Sequence, residues 1–106
     1  MNELLKRYVI AVEHPGASGF EHLDMLMVRD KLARQGTSFT PADQERLVAA
    51  DRLLVARASA FYAELSRITS LQYEREQRKL SPMHWWWYLD VLAHLPQRQS
   101  ELASVS

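Results

Sequence analysis

The sequence predicts an all-α protein, a small antiparallel bundle of four helices. Apolar residues recur at i, i+3, i+4 and i+7 along most of the chain. Two Ser/Thr–Pro pairs, Thr40–Pro41 and Ser81–Pro82, have the form of a helix cap followed by a first-turn proline. No stretch rich in strand-forming residues is followed by a convincing partner strand. With 106 residues the chain allows one domain, expected over residues 1–96, with a polar, serine-rich tail over 97–106 expected to fray.

The first helix is expected over residues 3–13, where Leu5, Tyr8, Val9 and Val12 share one face. His14 to Gly19 then break the chain, because residues before proline avoid helical angles and glycine relaxes the backbone. Ser18 and Glu21 have the spacing of a capping box and start a second helix over 19–35, which Gly36 terminates. Its apolar residues lie on two sides, with Leu23 and Met27 about 150° from Met25, Val28 and Leu32. One neighbour cannot cover both sides, so this helix is either central in its own bundle or shared with another chain.

Thr40, Pro41 and Asp43 open the third helix with a cap, a proline that needs no donor and an acid at the positive end of the dipole. Leu47, Leu54, Phe61 and Ile68 recur every seven residues, and no Gly or Pro occurs between Ala42 and Leu80. One long helix over 41–71, extending to 80 at most, follows from that pattern; it would be about 46 Å long at 1.5 Å per residue. A break is expected near Thr69 and Ser70, where Thr69 and Gln72 could form another capping box. The run from Gln72 to Lys79 alternates in sign, with Glu74 and Arg78 at i, i+4, and suits a solvated face better than a nucleic-acid footprint built from Arg67, Arg75, Arg78 and Lys79. The last helix is expected over 82–95, ended by Pro96.

Composition narrows the function. Thirteen Lys and Arg balance thirteen Asp and Glu, so no net field draws nucleic acid or anionic lipid. The absence of cysteine removes disulfides, thiol catalysis and thiolate metal sites. Charged residues interrupt the first twenty positions, and no apolar run is long enough to span a bilayer, so a cytoplasmic protein without a membrane partner is expected.

The run Trp85, Trp86, Trp87, Tyr88 carries the most information. On an α-helix it sweeps most of the circumference. Trp85, Tyr88, Leu89, Leu92 and Leu95 then face the core, leaving Trp86 and Trp87, beside Asp90 and His94, either covered by another segment of the chain, such as the N-terminal helix or the tail, or exposed to a partner. Exposed tryptophans mark interaction hot spots. The leading expectation is therefore a non-enzymatic protein–protein interaction module of adaptor, assembly-chaperone or inhibitor type. It would self-associate, as a homodimer, through Trp86, Trp87, Asp90 and His94 together with Met25, Val28 and Leu32. The alternative is a ligand- or metal-binding helical protein with an aromatic pocket around Trp86, Trp87, Asp90 and His94.

Catalysis by Asp90 and His94 at i, i+4 lacks a third group. Glu13, His14, Glu21 and His22 bracket one loop but show none of the spacings of strong zinc or di-iron motifs. Gly16 and Gly19 do not match a phosphate-binding loop. No catalytic residue, cofactor or metal is expected.

Overall fold

The structure, a computed structural model, describes residues 2–35 and 38–95. The expected Gly36 terminator, the Pro96 stop and the tail over 97–106 lie outside the described residues. The fold is all-α, and no strand occurs among the described residues. Six α-helices are present there: α1 (Glu3–Val12), α2 (Gly19–Arg34), α3 (Pro41–Ala56), α4 (Ala58–Leu65), α5 (Leu71–Arg78) and α6 (Leu89–Leu92), with a 3₁₀ turn at Trp85–Trp87 before the last.

The local start signals act as the residue types dictate. Ser18 Oγ accepts the Glu21 amide at 3.3 Å, and Thr40 Oγ1 accepts the Asp43 amide at 3.1 Å. Asn2 caps α1 by accepting the amides of Leu4 and Leu5. The cap of α5 falls one residue later than the spacing predicts: Ser70 Oγ accepts from Tyr73 N, while the Thr69 hydroxyl donates to Glu74 at 2.8 Å.

α1 and α2 form an antiparallel hairpin, pinned at its open end by Asn2 Nδ2 donating to Gln35 Oε1. α3 lies against α1, α4 against α2, and α6 against α4, while the 3₁₀ turn rests on α2 and α5. α2 is thus central by fold. It buries His22, Met25, Leu26, Val28, Arg29 and Leu32, so its second apolar side has a partner within the chain.

The single long helix expected over 41–71 does not form. It breaks at Arg57 and ends at Leu65. The break falls in a segment without glycine or proline, at a residue whose side chain makes a long-range contact. The Arg57 guanidinium donates to the Val12 carbonyl at 3.2 Å, closing the C-terminal end of α1. The bend brings Ala58, Phe61 and Leu65 onto the same buried cluster as Leu47, Ala50 and Leu54. The expected helix over 82–95 is also replaced, by a turn over Ser81–His84, the 3₁₀ turn and the four residues of α6.

The start of α2 packs tightly against the end of α4. A Cβ placed on Gly19 would lie 2.5 Å from the Glu64 carbonyl oxygen and 3.0 Å from Ile68 Cγ1. The positive end of α2 meets a carbonyl of α4, a favourable pairing that only glycine permits at this distance. Gly19→Ala is expected to destabilise the protein by about 2 kcal/mol despite alanine's better helix propensity, because backbone must move apart. Urea denaturation checks this; an unchanged midpoint would show that the α2–α4 contact is loose.

Candidate functional site

The aromatic segment forms a 3₁₀ turn, and its exposure departs from the expected pattern except at Leu89 and Leu92, which pack in the core as expected. Trp86 is 4% exposed and Trp87 0%, whereas Trp85 and Tyr88 are half-buried and Leu95 is exposed. Both buried indoles end on one acceptor: Trp86 Nε1 and Trp87 Nε1 donate to Asp30 Oδ1 at 2.7 and 2.9 Å. Two consecutive side chains of an α-helix diverge by about 100°. A 3₁₀ turn separates neighbours by still more, about 120°, so the two indoles meet on Asp30 through the reach of their rings and not through the pitch of the turn.

Three arginines complete the enclosure. Arg29 lies 4.2 Å from the Trp86 ring centre, Arg78 lies 4.7 Å from that of Trp87, and Arg75 lies 4.4 Å from that of Tyr88. Arg75 also donates to the Trp87 carbonyl at 2.9 Å and forms a two-pronged pair with Asp90 at 2.8 and 3.2 Å. The Asp90 bond raises the pKa of the Arg75 guanidinium further and keeps it charged.

The expected docking set is therefore corrected. Trp86, Trp87 and Leu32 are core residues, and buried rings cannot wall an open aromatic pocket; Met25 and Val28 are buried too but line the hollow between α1 and α2. Asp90 is held by Arg75, and His94 donates its Nδ1–H to the Asp90 backbone carbonyl at 2.7 Å, so the carboxylate and imidazole do not form a dyad. The four candidate ligands around the first loop are not gathered either. His22 is buried and donates from Nε2 to the Pro15 carbonyl, and His14 donates from Nδ1 to the Ile10 carbonyl. Among the described residues no group of three or more metal-ligating side chains is placed to hold an ion. The arginines proposed for a nucleic-acid patch are paired with acids: Arg75 with Asp90, Arg78 with Glu74 and Arg67 with Glu64. No helix among the described residues is long and apolar enough to cross a membrane.

Periodicity alone overlooked a buried polar centre. Arg29 on α2 bonds Asp51 on α3 through Nε and Nη2 at 3.0 and 2.9 Å, and the Tyr8 hydroxyl of α1 donates to the same carboxylate at 2.6 Å. Burial first, and then the adjacent Asp51 charge, push the Tyr8 phenol far above its ordinary value, so it remains a donor. The centre ties three helices together. Among the described residues no buried side-chain polar atom lacks a partner, so the network is complete in itself and offers no free group for chemistry.

The open surface lies elsewhere. Between α1 and α2 runs a groove of about 600 Å³. Its floor is Ala11, Met25 and Val28; its lips carry Ile10, 48% exposed, and Phe20, 70% exposed. Arg7 and Asp24 bridge it at 3.0 Å, and His14 and Glu21 stand towards the loop end. Arg7, Ile10 and Ala11 of α1, with His14 just beyond its end, fall at i, i+3, i+4 and i+7, a second face that the core pattern of Leu5, Tyr8 and Val12 leaves free. Ile10 within α1 and Phe20 beside the loop were the signals available in the sequence. No protein family, characterised protein or solved structure matches this chain, so its function is argued from this geometry alone.

Proposed function

We propose that this chain is a non-enzymatic interaction module that receives an apolar element of a partner in the groove between α1 and α2. The observation that carries the reading is the pairing of an apolar trough with two large exposed apolar side chains, Phe20 and Ile10, at its lips. Leaving a phenylalanine mostly in water forgoes roughly 1.5–3 kcal/mol that burial against a partner would return. The Arg7–Asp24 pair across the trough is exposed at both ends, and pairs of that kind contribute little, so an incoming group can part it at small cost.

Binding of anilinonaphthalene sulfonate to the native protein tests the reading. The dye is expected to bind saturably at one site. A variant carrying both Ile10→Glu and Phe20→Glu is expected to bind it at least about tenfold more weakly, with an unchanged thermal midpoint, since each lost apolar contact is worth 1 kcal/mol or more. Equal dye binding by the variant would overturn the assignment of the groove. The volume also lies in the range of small-molecule sites, so the ligand-binding alternative moves from the tryptophans to the same groove. Native mass spectrometry of the purified protein separates the two: a bound small molecule displaced by the dye favours the alternative.

A further inference from the structure

We infer that the element received by the α1–α2 groove is the same face of a second copy of this chain, in a weak two-fold dimer. The inference rests on the groove being the docking surface. A two-fold interface requires one patch to be its own complement. This face carries both halves of such a fit, the hollow and, on its lip, the projecting Phe20 ring.

The charges are self-complementary as well. Arg7 lies on α1 and Asp24 on α2, and the two helices run antiparallel. A two-fold axis between them sets α1 of one copy over α2 of the other, so each Arg7 can trade its own Asp24 for that of the partner. The number of ion pairs is conserved. The net charge of zero leaves no long-range repulsion between copies.

Extent sets the strength. α1 has 10 residues and α2 has 16, which give helix lengths of roughly 15 and 24 Å. At about 10 Å of width per helix, two such faces bury on the order of 800 Å² before side-chain relief is counted, below the roughly 1,200 Å² at which stable interfaces begin and in the range of weak, transient ones. The dimer is therefore reversible and concentration-dependent.

Light scattering coupled to sedimentation, between roughly 5 and 500 μM, brackets an interface this small. The weight-average mass is expected to rise from 12.3 kDa towards twice that value, and to stay at 12.3 kDa throughout for Phe20→Glu with its circular dichroism melt unchanged. Asp24→Arg alone and Arg7→Asp alone are each expected to remain monomeric, whereas an equimolar mixture of the two restores dimers, because only between copies do the opposite charges meet. A mixture that stays monomeric, or a Phe20→Glu chain that still dimerises, overturns the inference. Wild type that stays at 12.3 kDa but binds the dye in the groove overturns the dimer alone; wild type that does neither overturns the docking surface with it.

Discussion

Arg29→Ala is expected to lower stability by about 3–5 kcal/mol, a large fraction of what a small domain has. The arginine is 7% exposed, and its removal leaves the Asp51 carboxylate with one neutral donor, Tyr8, in a largely enclosed site. Two charge-assisted bonds are lost, and so is the guanidinium against the Trp86 ring. Asp51→Ala should cost nearly as much, because it orphans the arginine in turn. Tyr8→Phe deletes only a hydroxyl and should cost about 1–2 kcal/mol.

The decisive comparison is a double-mutant cycle. Replacing both charges by apolar groups of similar length, Arg29→Met with Asp51→Leu, removes the unpaired-charge penalty and should be clearly more stable than either single variant, Arg29→Met or Asp51→Leu, with a coupling energy above about 2 kcal/mol. Urea denaturation measures each corner. A cost below about 1 kcal/mol for Arg29→Ala would mean that water reaches the pair and that it holds the three helices only weakly.

How much of this was legible in the sequence follows the range of the interactions. Helix starts were legible because a cap is local chemistry: Ser18 and Thr40 need only an amide three residues on. The break at Arg57 was not, since no glycine or proline marks it and the contact its side chain makes, with the Val12 carbonyl, lies 45 residues away. Arg29 falls four residues after Met25 and three before Leu32, and Asp51 falls four after Leu47 and three before Leu54. Opposite charges embedded in two core stripes were the visible trace of the buried pair, and a count of apolar positions passes over them. The tryptophans misled for a different reason. Four consecutive aromatics sweep the circumference in a 3₁₀ turn as well, but this segment lies between α2 and α5, so Asp30 on one side and Arg75 and Arg78 on the other cover the two indoles that a single neighbour would leave exposed. For the candidate site, Met25 and Val28, expected at a partner surface, form the groove floor, while Ile10 and Phe20 carry no distinctive signal in the sequence because isolated surface apolar residues are common.

That dependence on Asp30 gives the second large effect. Asp30→Ala should destabilise the protein by about 3–4 kcal/mol, since two buried indole N–H donors lose their shared acceptor together and each orphaned donor costs about 1–3 kcal/mol. Asp30→Asn retains an oxygen for at least one of them and should cost roughly half as much. The optical signature separates this account from general loosening. Wild-type emission is expected to be blue-shifted and largely shielded from acrylamide, with the half-buried Trp85 as the main quenchable ring. In Asp30→Ala, under conditions where circular dichroism shows the helices still formed, emission should move to the red and quenching should rise as Trp86 turns outward. Trp87, enclosed by Arg78 and the core, should follow only at the global transition. Unshifted emission in a folded Asp30→Ala chain would mean that packing and the arginines alone hold the turn closed, and that the shared carboxylate merely satisfies two donors that burial had already fixed.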